Sequence, residues 1–126
     1  MANVEKLVRD ALVSVSSVTD LVGQRVFFNQ APQGTSLPYA VIQLVTEDRR
    51  AVLNGPDVIP QALVQIDVIA SNVGSMGDVR AAIRTALDTY NTTPIRYARL
   101  QDQRNAYDEN TEYPRAIMEF EVRYTD

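Results

Sequence analysis

The chain reads as an α+β protein: two layers, with a mainly antiparallel sheet of four to five strands carrying two helices on one face. Three observations predict this. Two segments, near the N-terminus and over roughly 75–90, repeat their apolar residues at helical spacing. Two others, Gln61–Ala70 and Ala116–Tyr124, alternate apolar and polar residues. No helical pattern lies between most consecutive strand segments, so hairpins rather than crossover helices join them.

In the first segment Val4, Leu7, Val8, Ala11, Leu12 and Val15 fall on one side, and Glu5, Lys6, Arg9 and Asp10 on the other. This predicts an amphipathic helix over residues 2–15. Ser16-Ser17 interrupts it, Val18–Val22 has room for one short further turn, and Gly23 is placed to end that turn. Val26-Phe27-Phe28 reads as an edge strand. A loop follows, built on Ala31-Pro32-Gln33-Gly34. Proline fixes its own φ and glycine takes a positive φ readily. Pro38 biases Leu37 towards extended backbone and opens an apolar strand from Tyr39 to Thr46.

Residues 47–60 form a long connection centred on Asn54-Gly55-Pro56-Asp57, with Val52, Leu53, Val58 and Ile59 making it too apolar for a purely solvated loop. It is expected to extend the hairpin past the body of the protein, mobile when free and ordered on assembly. In the strand Gln61–Ala70, Val64, Ile66, Val68 and Ala70 face the core, with Gln65 and Asp67 opposite. The helix over 75–90 presents Met76, Val79, Ile83, Leu87 and Tyr90, and Asn91-Thr-Thr-Pro94 ends it. A more polar strand starts at Ile95 and runs to Gln101, with residues to Tyr107 able to continue it. After an acidic turn at 108–112, Ala116, Met118, Phe120, Val122 and Tyr124 form the inner face of the clearest strand.

Composition narrows the chemistry. A chain of 126 residues fits a single domain, 1–126, without staples. It has no cysteine, hence no disulfide or thiolate metal site, and no histidine, the commonest general base and metal ligand. The net charge of −4 argues against a general nucleic-acid surface. Lys6 is the only lysine; every other basic residue is arginine, a type suited to bidentate pairing and common at protein interfaces. The N-terminus lacks the pattern of a signal peptide, and no segment reaches the roughly 20 apolar residues of a membrane span, which predicts synthesis in a cytoplasm.

No catalytic, cofactor or metal site emerges. A serine or threonine nucleophile would need Lys6 as its base, and Lys6 sits on the polar face of a helix. Glu47-Asp48 and Asp108-Glu109 read as solvated turns, and Glu119 and Glu121 as the solvent face of a strand. Residues 108–112 have oxygen ligands without the spacing of a calcium loop, and Gly74-Ser-Met-Gly77 is not a phosphate loop. Arg49-Arg50 lies beside two carboxylates, and Arg96, Arg99 and Arg104 share their segment with Asp102. Mixed-charge surface is the better reading than nucleic-acid contact.

The ordered set of elements resembles the bacteriophage tail completion family, also called tail-to-head joining or tail terminator proteins. The resemblance runs through Leu21-Val-Gly-Gln-Arg-Val26, Ala31-Pro-Gln-Gly34 with Pro38-Tyr-Ala-Val-Ile42, Val64–Ser71, the helix Val79–Leu87, and Met118-Glu-Phe-Glu-Val-Arg-Tyr124. The 47–60 connection matches no fixed family motif. The resemblance implies a non-enzymatic structural protein of a phage or prophage virion, at the head-proximal end of the tail. It implies a ring, a hexamer by family analogy, that caps the tail tube and meets the head connector. It calls for no cofactor, no membrane, and no nucleic-acid binding beyond DNA passing through the ring. Under it, the hairpin with Arg49, Arg50 and Leu53 is the first candidate interface, and the segment with Arg99, Arg104 and Tyr107 the second. The competing readings are a small monomeric ligand-binding or regulatory module, which needs an apolar pocket, and a carboxylate enzyme, which needs a strongly shifted pKa in a cleft.

Overall fold

The computed structural model describes residues 3–48, 60–108 and 112–125. Helices α1 (Val4–Val13) and α2 (Ser16–Val22) lead into strands β1 (Val26–Phe28), β2 (Tyr39–Asp48) and β3 (Gln61–Ile69). Helix α3 (Val73–Leu87) and strands β4 (Ile95–Asp108) and β5 (Tyr113–Tyr124) follow. The sheet order is β1-β2-β3-β5-β4, antiparallel throughout except for the parallel pair of β1 and β2.

The expected α+β layering with a mainly antiparallel sheet is present, but three helices pack against the sheet rather than two. Val15, in extended backbone, ends α1 and starts the separate α2, which buries Val18 and Val22. Gly23 closes α2 at φ 59°, a conformation that favours glycine. Asn3 caps α1 by accepting from the Lys6 N–H at 3.1 Å, and Asn72 caps α3 by accepting from the Ser75 N–H at 2.8 Å.

The α3 helix stops three residues before the expected end. Asp88 turns to extended backbone and its carboxylate receives the Leu100 N–H at 3.0 Å. Thr89 and Tyr90 then pair with Ala98 of β4 instead of continuing the helix. In the loop before β2, Gly34 takes φ 83°, and the Arg25 guanidinium bonds the Pro38 carbonyl at 3.0 Å.

One core lies between the helices and one face of the sheet. Register aligns Ile42, Ile66 and Met118 across β2, β3 and β5, and next to them Val64 and Phe120, with Leu44 of β2 in the same row but 38% exposed. Val8 and Leu12 of α1 and Met76, Val79, Ile83 and Leu87 of α3 close over these rows. Ile66 and Phe120 are both fully buried, as their strand positions predict. Such side chains contribute about 1.5–3 kcal/mol each on transfer from water.

Three register shifts set which side chains reach which face. In β2 the register shifts between Leu44 and Thr46, so Thr46 joins the helix-free face opposite Leu63, and Glu47 turns towards the helix side opposite Ala62. In β4 shifts occur at Ile95/Tyr97 and Leu100/Asp102. They bring Ile95, Ala98 and Leu100 to the core despite their uneven spacing.

Candidate assembly surfaces

No helix covers the second face of the sheet among the described residues. Its rows cross β2, β3, β5 and β4 in order: Val41, Asp67, Ile117, Arg104; then Gln43, Gln65, Glu119, Asp102; then Thr46, Leu63, Glu121, Arg99. Arg104 bridges Asp102 at 2.6 Å and approaches Glu119 at 3.6 Å. Arg123 pairs with Glu121 at 3.2 Å and lies over the Tyr97 ring at 5.5 Å. The Gln101 amide donates to Glu121 at 2.9 Å. The face is a pre-ordered array of arginine, carboxylate and amide groups.

Asp67 is the exception to its expected exposure on this face: only 7% of it is accessible. Gln65 Nε2 donates to Asp67 Oδ1 at 2.9 Å, and Arg115 stands 3.6 Å from Oδ2. Burial raises the Asp67 pKa above its ordinary value, while the Gln65 hydrogen bond and the charges of Arg115 and Arg104 oppose the shift. Nothing in the alternation of β3 signalled this burial. The only hint was a carboxylate within an apolar strand.

The first candidate patch, Arg49, Arg50 and Leu53, lies outside the described residues, as does the expected mobility of the 47–60 connection beyond its ends. The second patch falls on one strand. Arg99 is exposed in β4 opposite Glu121, and its side chain bonds to no described residue. Arg104 is already engaged by Asp102 and Glu119 within the subunit. Tyr107 is 61% exposed near the end of β4, opposite Pro114.

Two clefts adjoin these features. One of ≈440 Å³ opens on the helix-free face, with Leu63 in its lining and Asp48, Gln61, Gln101, Glu119 and Glu121 around it. The other, ≈520 Å³, is formed by the Gln30–Thr35 loop with Leu37, Tyr39 and Tyr113. Among the described residues no cluster of acidic side chains could hold a metal ion. None of the described helices is long and apolar enough to cross a membrane.

No curated protein sequence matches the chain significantly. A solved chain from the virion of a native gene transfer agent particle shares the fold, with a TM-score of 0.71 at 18% identity, covering 94% of this chain and 92% of that one. The sequence profile of a family described as tail completion protein gp17 matches residues 6–125. The chain therefore belongs to the tail completion protein gp17 family and is a structural, tail-associated virion protein rather than an enzyme.

Proposed function

We propose that this protein, acting as one domain over its 126 residues, caps the phage tail tube as a ring and joins the tail to the head connector. The observation that carries this reading is the helix-free face of the sheet. Its ordered ion pairs leave charged and aromatic groups facing outward on a surface with no second layer among the described residues, which suits it to meet another protein. Family membership supplies the tail context, and the solved relative comes from a virion particle. By analogy with the family the ring is a hexamer, its partners are the tail tube protein and the head connector, and its place is the head-proximal end of the tail.

A ring needs a heterologous seam in which two different patches of one subunit meet on neighbours. The segment with Arg99, Arg104 and Tyr107 is proposed as one patch, and the connection with Arg49, Arg50 and Leu53 as the other. Deleting the gene in a producing phage should leave filled heads apart from tails, with many tails overlong in electron micrographs. Normal infectious particles from the deletion strain would end the tail-completion reading. Replacing Arg49, Arg50 and Leu53 by alanine should leave the monomer folded but impair joining; normal joining would remove that patch alone.

A further inference from the structure

We propose that the seam between neighbouring copies is made by side chains, with Arg96 and Arg99 of one copy meeting Glu47 and Asp48 of the next. The inference rests on the ring reading above and names the contact that would close it.

Three arginines stand apart from the rest. The side chains of Arg84, Arg96 and Arg99 are exposed and form no hydrogen bond or ion pair with another described residue. The other described arginines are engaged: Arg9 and Arg25 with backbone carbonyls, Arg80 with Asn105, and Arg104, Arg115 and Arg123 with carboxylates. The three lie on one flank. Arg96 occupies the bulge at the start of β4, Arg99 follows it, and Arg84 sits one turn before Asp88, whose carboxylate holds Leu100 of β4.

At the level of Ala98 this flank cannot accept an added strand. The chain itself covers the β4 edge there: Thr89 N–H donates to the Ala98 carbonyl at 2.8 Å, and Ala98 N–H to the Tyr90 carbonyl at 3.0 Å. On the opposite flank Arg9 Nε occupies the Val26 carbonyl at 2.7 Å. At the level of Ala98 the β4 edge is thus covered, so a neighbour meets that flank through side chains there.

Register identifies what the arginines meet. Tyr97 aligns through Arg123 and Gln61 with Asp48, and Ala98 aligns through Val122 and Ala62 with Glu47. Glu47 and Asp48 therefore lie level with Arg96 and Arg99, on the other side of the sheet. They also lie beyond β1, which pairs only as far as Ile42. A head-to-tail contact brings opposite flanks of neighbours together, and it closes only if successive copies do not climb. Equal level satisfies that condition for a ring whose axis follows the strands. A carboxylate accepts several donors, so the contacts that Glu47 makes within its own subunit, the Tyr124 hydroxyl among them, are compatible with a guanidinium from a neighbour.

The test is a charge swap, read on isolated tail tubes lacking the protein and in concentrated solution by native mass measurement. Wild type should form rings. Arg96→Glu with Arg99→Glu should keep the wild-type melting curve, because both residues are exposed, yet lose ring formation at least tenfold. Adding Asp48→Arg to that double variant should restore it, while Asp48→Arg alone should impair it. Raising salt should weaken wild-type rings. Rings formed normally by the double variant, by its alanine counterpart, or at high salt would overturn the seam and leave the ring reading standing, as would a folded triple variant without recovery. Absence of wild-type rings even on tubes would instead sink the ring reading, and this inference with it.

Discussion

The Tyr124 hydroxyl donates a hydrogen bond to the Glu47 carboxylate, tying the last residue of β5 to β2 across the intervening strand β3. Tyr124 is 1% exposed, so this bond forms largely out of water. The β2 bulge makes it possible by turning Glu47 to the helix side of the sheet. Tyr124→Phe keeps the ring packing and removes the donor. A hydrogen bond to a charged group contributes about 1.5–3 kcal/mol. The variant should lose stability of that order, read as a lower urea midpoint at unchanged slope.

Core truncations should cost more. Ile66→Ala and Phe120→Ala each open a cavity beneath the helices, at about 2–5 kcal/mol for such changes. Thermal melting would show both as large drops in midpoint. Arg84→Ala, an exposed change, should stay within about 0.5 kcal/mol of wild type. Wild-type melting of both core variants would contradict the strand faces described here.

The α3 cap gives a smaller, local effect. Asn72 Oδ1 accepts from the Ser75 N–H at 2.8 Å, satisfying one of the free donors of the first turn. Asn72→Ala should destabilise by about 1 kcal/mol, and Asn72→Asp should retain most of the capping. Chemical denaturation of the two variants side by side checks this.

Asp67 makes stability depend on pH in a defined direction. Burial raises its native pKa above the unfolded value, so the native state binds the proton more tightly. The stabilisation from that tighter binding is fully present below the unfolded pKa and is lost as pH rises through the native one. Asp67→Asn should therefore be at least as stable as wild type at neutral pH. Its advantage should shrink as pH falls through the native titration into the ordinary carboxylate range. Denaturation curves at several pH values test this; a variant much weaker at neutral pH would show that the Arg115 contact outweighs burial.

The strand β5 was fully legible in the sequence. Its alternation from Ala116 to Tyr124 gives the buried set, Ala116, Met118, Phe120, Val122 and Tyr124, with the apolar Ile117 on the other face. The strand β4 was not. Its core residues Ile95, Ala98 and Leu100 are spaced by three and then two, because a bulge inserts Arg96. An inserted residue reverses the face of everything after it, and local periodicity cannot show where the insertion falls. The end of α3 was misplaced for a related reason: Tyr90 continues the helical stripe, but its backbone pairs with Ala98.

Among candidate interface residues, the sequence identified arginine and tyrosine by type but could not tell engaged from available. Arg104 and Arg99 look alike in the chain, yet Arg104 is held by Asp102 and Glu119 while Arg99 is not. What the sequence determined by itself was the α+β layering, the inner faces of β3 and β5, and the lack of a cysteine or histidine chemistry, because these follow from local patterning and composition. The burial of Asp67, the turn of Glu47 towards Tyr124, and the level of Arg96 and Arg99 with Glu47 and Asp48 were decided only by tertiary structure. Each depends on register between strands distant in sequence, or on packing between separate elements, and pairing across a sheet is fixed by long-range contacts that no local window contains.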